Sequence, residues 1–396
     1  MSISNKNIKA RPEQRRRVVV AMSGGVDSSV AAALLKRDGF DVVGVFMKFW
    51  RSPELAEGKE MENRCCSIES EKLARLVAKK IGIPFYVVNV EKEFKKKVVD
   101  YFLKEYKKGN TPNPCVVCNK EIKFGLLIEK ALKMGADYIA TGHYAKLVVG
   151  SEVVSRKSKL QITNYKLQTA RDTSKDQSYF LWQLNQKQLS KVLFPVGNYT
   201  KPKVRKLAEK FDLPTAKTPE SQEVCFVQNS TNGFLKKYLK LKPGPVIEQA
   251  QNGVKNIIGQ HNGLWFYTIG QRRGIEVQQG PWYVVAKDFK NNSLIISRNK
   301  KDLLQKELVV KNVNWISGKE PKLPIKVKVK IRYRAKSADA VIFQISNFKF
   351  QIRFDKLQLA ITPGQSAVFY LPRRSSKAET GKGEELLGGG IIDKVL

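Results

Sequence analysis

The stretch that most constrains the fold lies between Val18 and Ser29. Apolar residues at 18–22 lead into the run Ser-Gly-Gly-Val-Asp-Ser at 23–28, and helix-forming residues follow from Val30 to Lys36. An apolar run, a glycine-rich turn and a helix start are typical of a strand–turn–helix unit in an α/β domain. Glycines allow close approach of the backbone to a ligand, and the N–H groups of a first helical turn favour anions. The stretch therefore predicts a phosphate-binding loop at the end of the first strand.

The loop matches neither of the two commonest nucleotide-binding patterns. No Gly-Lys-Ser/Thr follows it, so it is not a Walker loop, and the spacing of its glycines is not G-x-G-x-x-G. It resembles instead the Ser-Gly-Gly-x-Asp-Ser loop of the ATP pyrophosphatases (the PP-loop superfamily). That resemblance implies a loop that cradles pyrophosphate while ATP is cleaved between its α and β phosphates and AMP is transferred to an oxygen.

Length and charge narrow the class of protein. The 396 residues are enough for two or three domains, and 72 Lys and Arg against 36 Asp and Glu give a net charge of +36. Such an excess favours a polyanionic partner such as a nucleic acid. An apolar run of about 18 residues, as a membrane span requires, is missing, and the basic first 17 residues have no apolar segment like that of a secretory signal. We therefore expect a cytoplasmic, monomeric protein with no membrane partner.

The first half of the chain has the pattern of a parallel α/β domain. Strands are predicted at 18–22, 41–48, 85–90 and 137–143, and helices at 30–36, 67–81 and 201–211. Ligands of such sheets bind beyond the carboxyl ends of the strands, which places Met47 near the adenine of a nucleotide. Residues 109–119 contain two prolines and a glycine, which predicts a stiff, non-helical loop. Cys118 is then expected at a loop-to-helix junction, where a helix N-terminus would make the thiol more nucleophilic.

The second half is predicted to be rich in β-strands. Residues 146–171 already read as hairpins, 220–226 as a short strand, and helical periodicity fades beyond about residue 230. Further candidate strands are 265–269, 282–287, 293–297, 324–334, 340–343, 367–371 and 386–392. In 325–334, apolar and basic residues alternate, which predicts a buried face and a face of five cations against a phosphate backbone.

These patterns divide the chain into four segments. We expect a basic flexible arm at 1–16, an ATP pyrophosphatase catalytic domain at 17–230, a central β-rich domain at 231–297 and a β-barrel-like domain at 298–396. The predicted fold class is thus an α/β domain with a parallel sheet, like that of adenine-nucleotide hydrolases, followed by a small central domain and a C-terminal β-barrel-like domain.

The five cysteines, at 65, 66, 115, 118 and 225, leave several chemistries open. An odd number without a secretion signal argues against a disulfide framework. Cys115 and Cys118 could form half of a zinc site, although no second pair at a usual spacing follows. Cys115, Cys118 and Cys225 could hold an iron–sulfur cluster. Alternatively, two distant cysteines could meet, one carrying a persulfide and the other resolving it by disulfide formation.

Several longer motifs resemble one family, the bacterial tRNA-specific 2-thiouridylases of the PP-loop superfamily. They are the 23–28 loop, Thr-Pro-Asn-Pro-Cys-Val-Val-Cys-Asn at 111–119, Ala-Thr-Gly-His-Tyr at 140–144, Lys-Asp-Gln-Ser-Tyr at 175–179, Ser-Gln-Glu-Val-Cys-Phe at 221–226, Tyr-Thr-Ile-Gly-Gln-Arg at 267–272, Arg-Tyr-Arg at 332–334 and Thr-Pro-Gly-Gln-Ser at 362–366. The likeness runs in order from about Arg17 to the C-terminus. The combination with two distant cysteines is much more specific than the loop alone.

The resemblance implies ATP-dependent 2-thiolation of the wobble uridine (U34) of tRNA by a sulfurtransferase. ATP and Mg²⁺ would activate the C2 oxygen of the uridine, and a persulfide-donating carrier or cysteine desulfurase would supply sulfur. The implied ATP-binding residues are Ala21, Met22, Ser23, Gly24, Gly25, Val26, Asp27, Ser28, Met47 and Gly142. Cys118 would be the nucleophile and Cys225 the persulfide carrier, with a transient disulfide between them.

The resemblance also implies that the domain at 298–396 is a tRNA-binding domain, and it implies the residues that meet the RNA in the region of the anticodon stem-loop. Those implied to contact the target base or tRNA are Asn113, Pro114, Cys115, His143, Lys175, Asp176, Gln177, Arg332, Tyr333 and Gln365. Two alternatives are another ATP pyrophosphatase, which would not need the paired cysteines, and a basic RNA-binding protein without catalytic activity.

Overall fold

A computed structural model describes residues 16–51, 67–150, 153–154, 161–162, 164–219, 224–227, 230–249, 255–346, 348–372 and 383–396. Residues 1–15 of the predicted arm, Cys65 and Cys66, residues 220–223 and residues 373–382 lie outside these ranges.

The strands are β1 (Arg17–Ala21), β2 (Asp41–Lys48), β3 (Phe85–Asn89), β4 (Tyr138–Ala140), β5 (Ala145–Val149), β6 (Val153–Val154), β7 (Gln161–Ile162), β8 (Tyr165–Thr169), β9 (Val192–Leu193), β10 (Gly244–Gln249), β11 (Lys255–His261), β12 (Tyr283–Asp288), β13 (Ser293–Ser297), β14 (Leu304–Trp315), β15 (Ile325–Lys330), β16 (Ala338–Ser346), β17 (Lys349–Leu359), β18 (Ser366–Tyr370) and β19 (Glu385–Val395).

The helices are α1 (Val26–Arg37), α2 (Ile68–Lys80), α3 (Glu91–Phe94), α4 (Asp100–Lys107), α5 (Pro114–Cys118), α6 (Leu127–Lys133), α7 (Gln186–Leu189), α8 (Lys201–Lys210) and α9 (Thr231–Tyr238). Two π-helical segments, Lys95–Val99 and Asn119–Leu126, join α3 to α4 and α5 to α6. Short 3₁₀ helices occupy Ser178–Phe180, Leu264–Phe266 and Lys300–Leu303.

The N-terminal part is built on a five-stranded parallel sheet of order β3-β2-β1-β4-β9. Its central strands are apolar on both faces: Val18, Val19 and Val20 are fully buried, as expected for a parallel sheet covered by helices on both sides. The topology places the ends of β1, β2 and β4 side by side, so the residues that follow them meet at one edge.

The other two parts are β-structures. A four-stranded sheet of order β11-β10-β13-β12 forms the middle part. The C-terminal part is a barrel of order β14-β17-β16-β15-β18-β19, closed by pairing of β14 with β19. The hairpin β5/β8 of the N-terminal part extends the barrel sheet, because β8 pairs with β19. The predicted fold class is confirmed.

Buried side chains join the N-terminal part to the barrel. The Trp182 indole N–H donates to Ser366 Oγ at 3.0 Å, and the Tyr179 hydroxyl donates to the Ser366 carbonyl at the same distance. A single apolar core runs from the parallel sheet through the middle part to Tyr370 on β18, while a second core fills the barrel. The three parts therefore share packing, and their shared surfaces fix the loops between them.

Four predicted elements are wrong in type or extent. The loop expected at 109–119 ends at Asn113, because Pro114 occupies the first turn of α5, where its missing N–H costs nothing. Cys118 therefore lies one turn inside a helix and is not at its start. The strand expected at 265–269 is instead the 3₁₀ helix Leu264–Phe266, in which consecutive apolar residues pack inward.

The alternating strand expected at 324–334 ends at Lys330. Residues 332–335 form a turn in which the Ala335 N–H donates to the Arg332 carbonyl at 3.1 Å, so the predicted face of five cations is not continuous. Residues 224–227 of the expected strand at 220–226 also form a turn. Within the described ranges, the sequence pattern missed five strands outright, β9, β10, β11, β14 and β17. No helix in the described ranges is long and apolar enough to cross a membrane.

Candidate active site

The glycine-rich loop is held in shape by its own serines. Ser28 Oγ donates to the Gly25 carbonyl at 3.1 Å and accepts from the Ser23 N–H at 3.2 Å. Gly25 precedes α1 without a side-chain cap, so N–H groups of the first turn keep their capacity to bind an anion. Gly24 has φ +74°, and a methyl group there would lie 2.3 Å from the Ser70 carbonyl oxygen of α2. Glycine is therefore required at 24 by conformation and by packing.

A cavity of about 200 Å³ opens at the carboxyl ends of β1, β2 and β4. Its lining residues are Ala21, Met22, Ser23, Asp27, Ser28, Phe46, Met47, Phe49, Lys123, Thr141, Gly142, His143 and Gln177. Seven of the ten residues predicted to bind ATP are in this set. The other three, Gly24, Gly25 and Val26, belong to the same loop but do not line the cavity.

Gly142 brings the end of β4 against the loop. A methyl group at Gly142 would lie 2.6 Å from the Ser28 nitrogen and 2.9 Å from the Asp27 Cβ. Glycine at this position thus permits the close approach of two backbones that narrows the cavity. This is a packing reason for the residue, in addition to the ligand contact that the resemblance implies.

Two side chains that are not among the predicted site residues bind the Asp27 carboxylate. Lys201 Nζ lies 2.8 Å from both carboxylate oxygens of Asp27, and the Tyr144 hydroxyl donates to Oδ1 at 2.7 Å. The Lys201 side chain is only 8% exposed, at the first residue of α8. A lysine in a helix start 174 positions away carries no local signal of a site. The structure is what identifies it, because a buried lysine needs a carboxylate partner.

The electrostatics of the cavity are set by burial and by Lys123. Burial, aided by the nearby Lys123 charge, lowers the pKa of His143 well below its usual value. The ring is therefore neutral at pH 7, and Nδ1 lies 2.8 Å from Thr141 Oγ1. Lys123 follows Cys118 on the continuous helical segment 114–133. That segment links the predicted nucleophile to a cavity-lining cation.

Two of the predicted base-contact residues, Asn113 and Tyr333, meet at the segment 178–180. The Tyr179 hydroxyl hydrogen-bonds with the Asn113 side chain, and Asn119 Nδ2 donates to the Phe180 carbonyl at 3.1 Å. The Tyr333 ring lies 4.5 Å from that of Phe180. The residues that flank α5 on either side, the 3₁₀ helix and the β15–β16 turn are thus brought together, and Cys118 at the end of α5 is buried.

Cys225 is half-buried, and its neighbour Phe226 anchors it. The Phe226 ring packs edge-on against Phe94 and Phe102, with centroids 5.8 and 5.2 Å apart. These rings belong to the helical segment 91–107, whose π-helical part also packs against α5. The chain segments that carry the two cysteines of the resemblance therefore pack on the same helical segment.

Several residues predicted to contact tRNA also have structural partners. Asp176 is buried and accepts from the Ala170 N–H at 2.8 Å and from Ser178 Oγ at 2.7 Å. Burial raises the pKa of its carboxyl. Gln177 Oε1 accepts from the Tyr144 N–H at 3.0 Å. Their side chains hold the 175–180 segment in place, and Lys175 lies half-buried beside them.

The two C-terminal predictions among these residues also face the protein. Arg332 donates to Thr362 Oγ1 at 2.9 Å and to the Ala360 carbonyl, and Gln365 Nε2 donates to the Thr111 carbonyl at 2.8 Å. Burial lowers the pKa of Arg332. The Arg332 side chain therefore supports the segment 360–362, and the Gln365 side chain supports the segment around Thr111. A contact of either residue with tRNA stays a prediction.

The three cysteines in the described part of the chain, Cys115, Cys118 and Cys225, do not form a metal centre. Within the described ranges, which include Cys115, Cys118 and Cys225, no group of three His, Cys, Asp or Glu side chains is close enough to hold a metal ion. The donor set required for an iron–sulfur cluster or a zinc site is therefore not assembled. Nothing in the arrangement of these thiols supports the cluster alternative.

Comparison with known families and proteins agrees with this architecture. Three family models match the chain: a tRNA methyl transferase HUP domain at residues 16–229, a tRNA methyl transferase PRC-barrel domain at 232–298 and an aminomethyltransferase β-barrel domain at 305–392. Among solved structures, a 4-thiouridine synthetase–RNA complex with bound ATP has a TM-score of 0.32 and 15% identity, over 53% of this chain and 45% of that one. That similarity is too low to bear on the site.

Sequence relatives cover nearly the whole chain. It is 45% identical over 388 residues to tRNA-specific 2-thiouridylase MnmA 2 of Thermoanaerobacter sp. (strain X514), covering 97% of this chain and 100% of the relative. It is 43% identical over 385 residues to MnmA of Clostridioides difficile (strain 630), covering 96% and 99%. Together with the loop, the cavity and the barrel, these matches show that the chain belongs to the tRNA-specific 2-thiouridylase family and is a tRNA-uridine 2-sulfurtransferase.

Proposed function

We propose that this enzyme thiolates C2 of the wobble uridine (U34) of tRNA by adenylating the C2 oxygen and replacing it with sulfur from a persulfide on Cys225. The observation that carries the proposal is the helical segment 114–133. It bears Cys118 in its first part and Lys123 in the cavity behind the glycine-rich loop. Activation and sulfur delivery are thus supported by adjoining parts of one element.

The activation step uses the cavity. The loop 23–28 and the start of α1 offer N–H groups to the phosphates of ATP, and Met47 and Phe49 offer apolar surface to its base. The uridine C2 oxygen attacks the α-phosphorus, the bond to the bridging oxygen breaks, and pyrophosphate leaves. The resulting C2–O–AMP linkage turns a poor leaving group into a good one. Lys123 supplies positive charge on the side where the phosphate charge develops.

Magnesium would accompany the nucleotide. The cavity's carboxylate, Asp27, already has both oxygens within 2.8 Å of Lys201 Nζ. The residues present therefore fit a metal held mainly by the phosphate oxygens of ATP, as Mg²⁺ commonly is. When bound, it would neutralise the departing pyrophosphate.

Sulfur transfer uses the two cysteines. The terminal sulfur of the Cys225 persulfide attacks C2 and expels AMP, which leaves the base joined to Cys225 through an S–S bond. The Cys118 thiolate attacks Cys225 Sγ, breaks that bond and releases 2-thiouridine. The two electrons come from Cys118, so a Cys118–Cys225 disulfide forms and an external thiol reductant must restore it.

The neutral His143 and the segment 178–180 frame the entrance for the base. U34 lies in the anticodon loop, so it can be extruded at low cost because it starts unpaired. Asn113, Pro114 and Cys115 precede Cys118 by three to five positions and would meet the extruded base. Lys175, Asp176, Gln177, Arg332, Tyr333 and Gln365 would form or support the surrounding tRNA surface.

A single-turnover assay tests the proposal. Protein, ATP, an unmodified tRNA transcript and a persulfide donor are combined, and 2-thiouridine and AMP are quantified. Cys225→Ser and Cys118→Ser should each reduce thiolation to background, while ATP binding stays within about twofold because neither thiol lines the cavity. If Cys225→Ser enzyme thiolates tRNA at the wild-type rate, Cys225 is not the sulfur carrier.

A further inference from the structure

The segment 109–114, which leads into Asn113 and Cys118, is held on one side by the barrel. The Thr111 N–H donates to the Pro363 carbonyl at 2.9 Å, and Gln365 Nε2 donates to the Thr111 carbonyl at 2.8 Å. A methyl group at Gly364 would lie 2.8 Å from the Thr111 nitrogen. The barrel therefore contacts this segment through two hydrogen bonds to the Thr111 backbone and through close packing at Gly364.

The middle part holds the same segment from the opposite side. Lys287, near the end of β12, donates from Nζ to the Tyr267 carbonyl at 2.9 Å and to the Gly109 carbonyl. Thr268 Oγ1 lies 3.2 Å from Thr111 Oγ1. The ammonium group of Lys287 thus bridges two loops that belong to different parts of the chain.

The placement of this lysine is costly for its charge. Among the described residues no carboxylate pairs with Lys287, and burial lowers the pKa of its ammonium group to about 8. Burying an unpaired ammonium is unfavourable, whereas an unbranched apolar side chain of the same length would fill the space without that cost. What a lysine adds is donation to the two carbonyls.

We propose that Lys287 is a positioning residue for uridine thiolation, whose bridge from Tyr267 to Gly109 fixes the backbone that carries the base-contact residues 113–115. The inference rests on the proposed function of that segment. It assigns to the middle part of the chain an indirect role in catalysis. That part positions the 109–114 segment and does not contact the reacting atoms.

A second contact confirms where the bridge acts. Gly109 has φ +84°, and a methyl group there would lie 2.1 Å from the Phe289 ring at the tip of the β12–β13 hairpin. The hairpin is therefore seated against the start of the segment. Gly109→Ala would displace the same point by collision, without any change to Lys287.

The test compares full-length wild-type enzyme with Lys287→Met, Lys287→Arg and Lys290→Met. Lys290 lies on the same hairpin and is exposed, so it is a matched control. Thiolation of a tRNA transcript is measured with ATP, a persulfide donor and a thiol reductant that restores the two cysteines, together with the KM for ATP and the melting temperature. Backbone hydrogen exchange of a peptide that covers 109–114 reports on the loop directly, and exchange of a peptide that covers α6 (127–133) serves as the control.

Lys287→Met should lower kcat by about ten- to a hundredfold, because small misplacement of a reacting group has effects of that size, while the KM for ATP changes by less than about twofold. Exchange at 109–113 should accelerate and exchange in α6 should not. Lys287→Arg, which still donates to carbonyls, should recover part of kcat, and Lys290→Met should match wild type. Gly109→Ala should reproduce the loss of kcat.

Two results would overturn the proposal. One is a Lys287→Met enzyme with wild-type kcat and unchanged exchange at 109–113. The other is a loss of kcat that comes with an equal rise in the KM for ATP and with faster exchange in α6, which would mean general destabilisation. If wild-type enzyme produces no 2-thiouridine, the proposed function fails, and the exchange data still decide whether Lys287 holds the loop.

Discussion

Lys201 is the residue that changes the view of the glycine-rich loop. Sequence patterns identify the loop and its aspartate, because the run at 23–28 is local and specific. They give no access to the partner of Asp27, since Lys201 reaches it from the start of α8 and only the packing of α8 against α1 brings them together. The loop is thus an ion-paired unit whose second half is remote in sequence.

Removal of this cation should impair ATP use. In a Lys201→Met variant the Asp27 carboxylate keeps Tyr144 as a partner but loses its two contacts at 2.8 Å. Loss of a partner from a hydrogen-bonded charge costs about 1.5–3 kcal/mol, so kcat/KM for ATP should fall by roughly ten- to a hundredfold. Lys203→Met, an exposed position on the same helix, should leave it unchanged. Equal values for the two variants would remove Lys201 from the site.

Lys287 should also leave a signature in the pH dependence of stability. Below pH 8 its ammonium is charged in both folded and unfolded chains, and the full cost of burying the charge is present. Between pH 8 and the ordinary pKa of 10.5 the unfolded chain binds more protons, so the free energy of unfolding rises with pH.

The measurement is urea unfolding of wild type and Lys287→Met at pH 7.5 and pH 10.5. Wild type should gain about 3 kcal/mol relative to the variant over this interval, since each unit of pKa shift corresponds to about 1.4 kcal/mol. A difference that does not change with pH would show that the ammonium does not titrate as its burial implies.

At the scale of elements, the sequence predicts strands and helices best where a short stretch of the chain has a clear hydrophobic pattern. The four predicted strands of the parallel sheet and the helices α1, α2 and α8 all form, because continuous apolar runs and periodic spacing are local properties. The strand β14 was missed although it has 12 residues. Its polar residues contact neighbouring strands of the closed barrel, which a single segment cannot reveal.

The helical segment 114–133 illustrates the same limit at the site. Prolines at 112 and 114 predicted a loop up to Cys118, yet the second proline begins the helix. Proline interrupts a helix only where an N–H is needed, and the first turn needs none. The burial of Cys118 follows from the contact of α5 with the segment 91–107, which is a tertiary effect.

The loop after β1 permits an element-scale prediction with an internal control. Gly24 and Gly39 both have positive φ, but a methyl group at Gly39 would meet nothing within 4 Å. Gly39→Ala should therefore cost only the conformational strain, about 1–2 kcal/mol. Gly24→Ala adds a collision with Ser70 of α2 and should cost clearly more and lower activity. Urea unfolding compares the two, and equal losses would mean that α2 yields to the loop without cost.

At the scale of the whole molecule, three parts converge on one short segment. The N-terminal part supplies the cavity and the cysteines, the middle part supplies Lys287 and Thr268, and the barrel supplies Gln365 and Pro363. Charge and composition predicted a nucleic-acid partner and a β-rich second half. They could not predict that Gln365 and Arg332 would face protein groups, because contacts between segments distant in sequence have no periodicity in the chain.

The central claim, adenylation of the uridine C2 oxygen, is tested most directly by an isotope transfer. A tRNA anticodon stem-loop with ¹⁸O at O2 of U34 is thiolated in a single turnover, and the AMP formed is examined by mass spectrometry. The account predicts one ¹⁸O atom in the phosphate of AMP for each 2-thiouridine produced. Unlabelled AMP together with 2-thiouridine would contradict it, since the C2 oxygen would then have left without ever being joined to phosphorus.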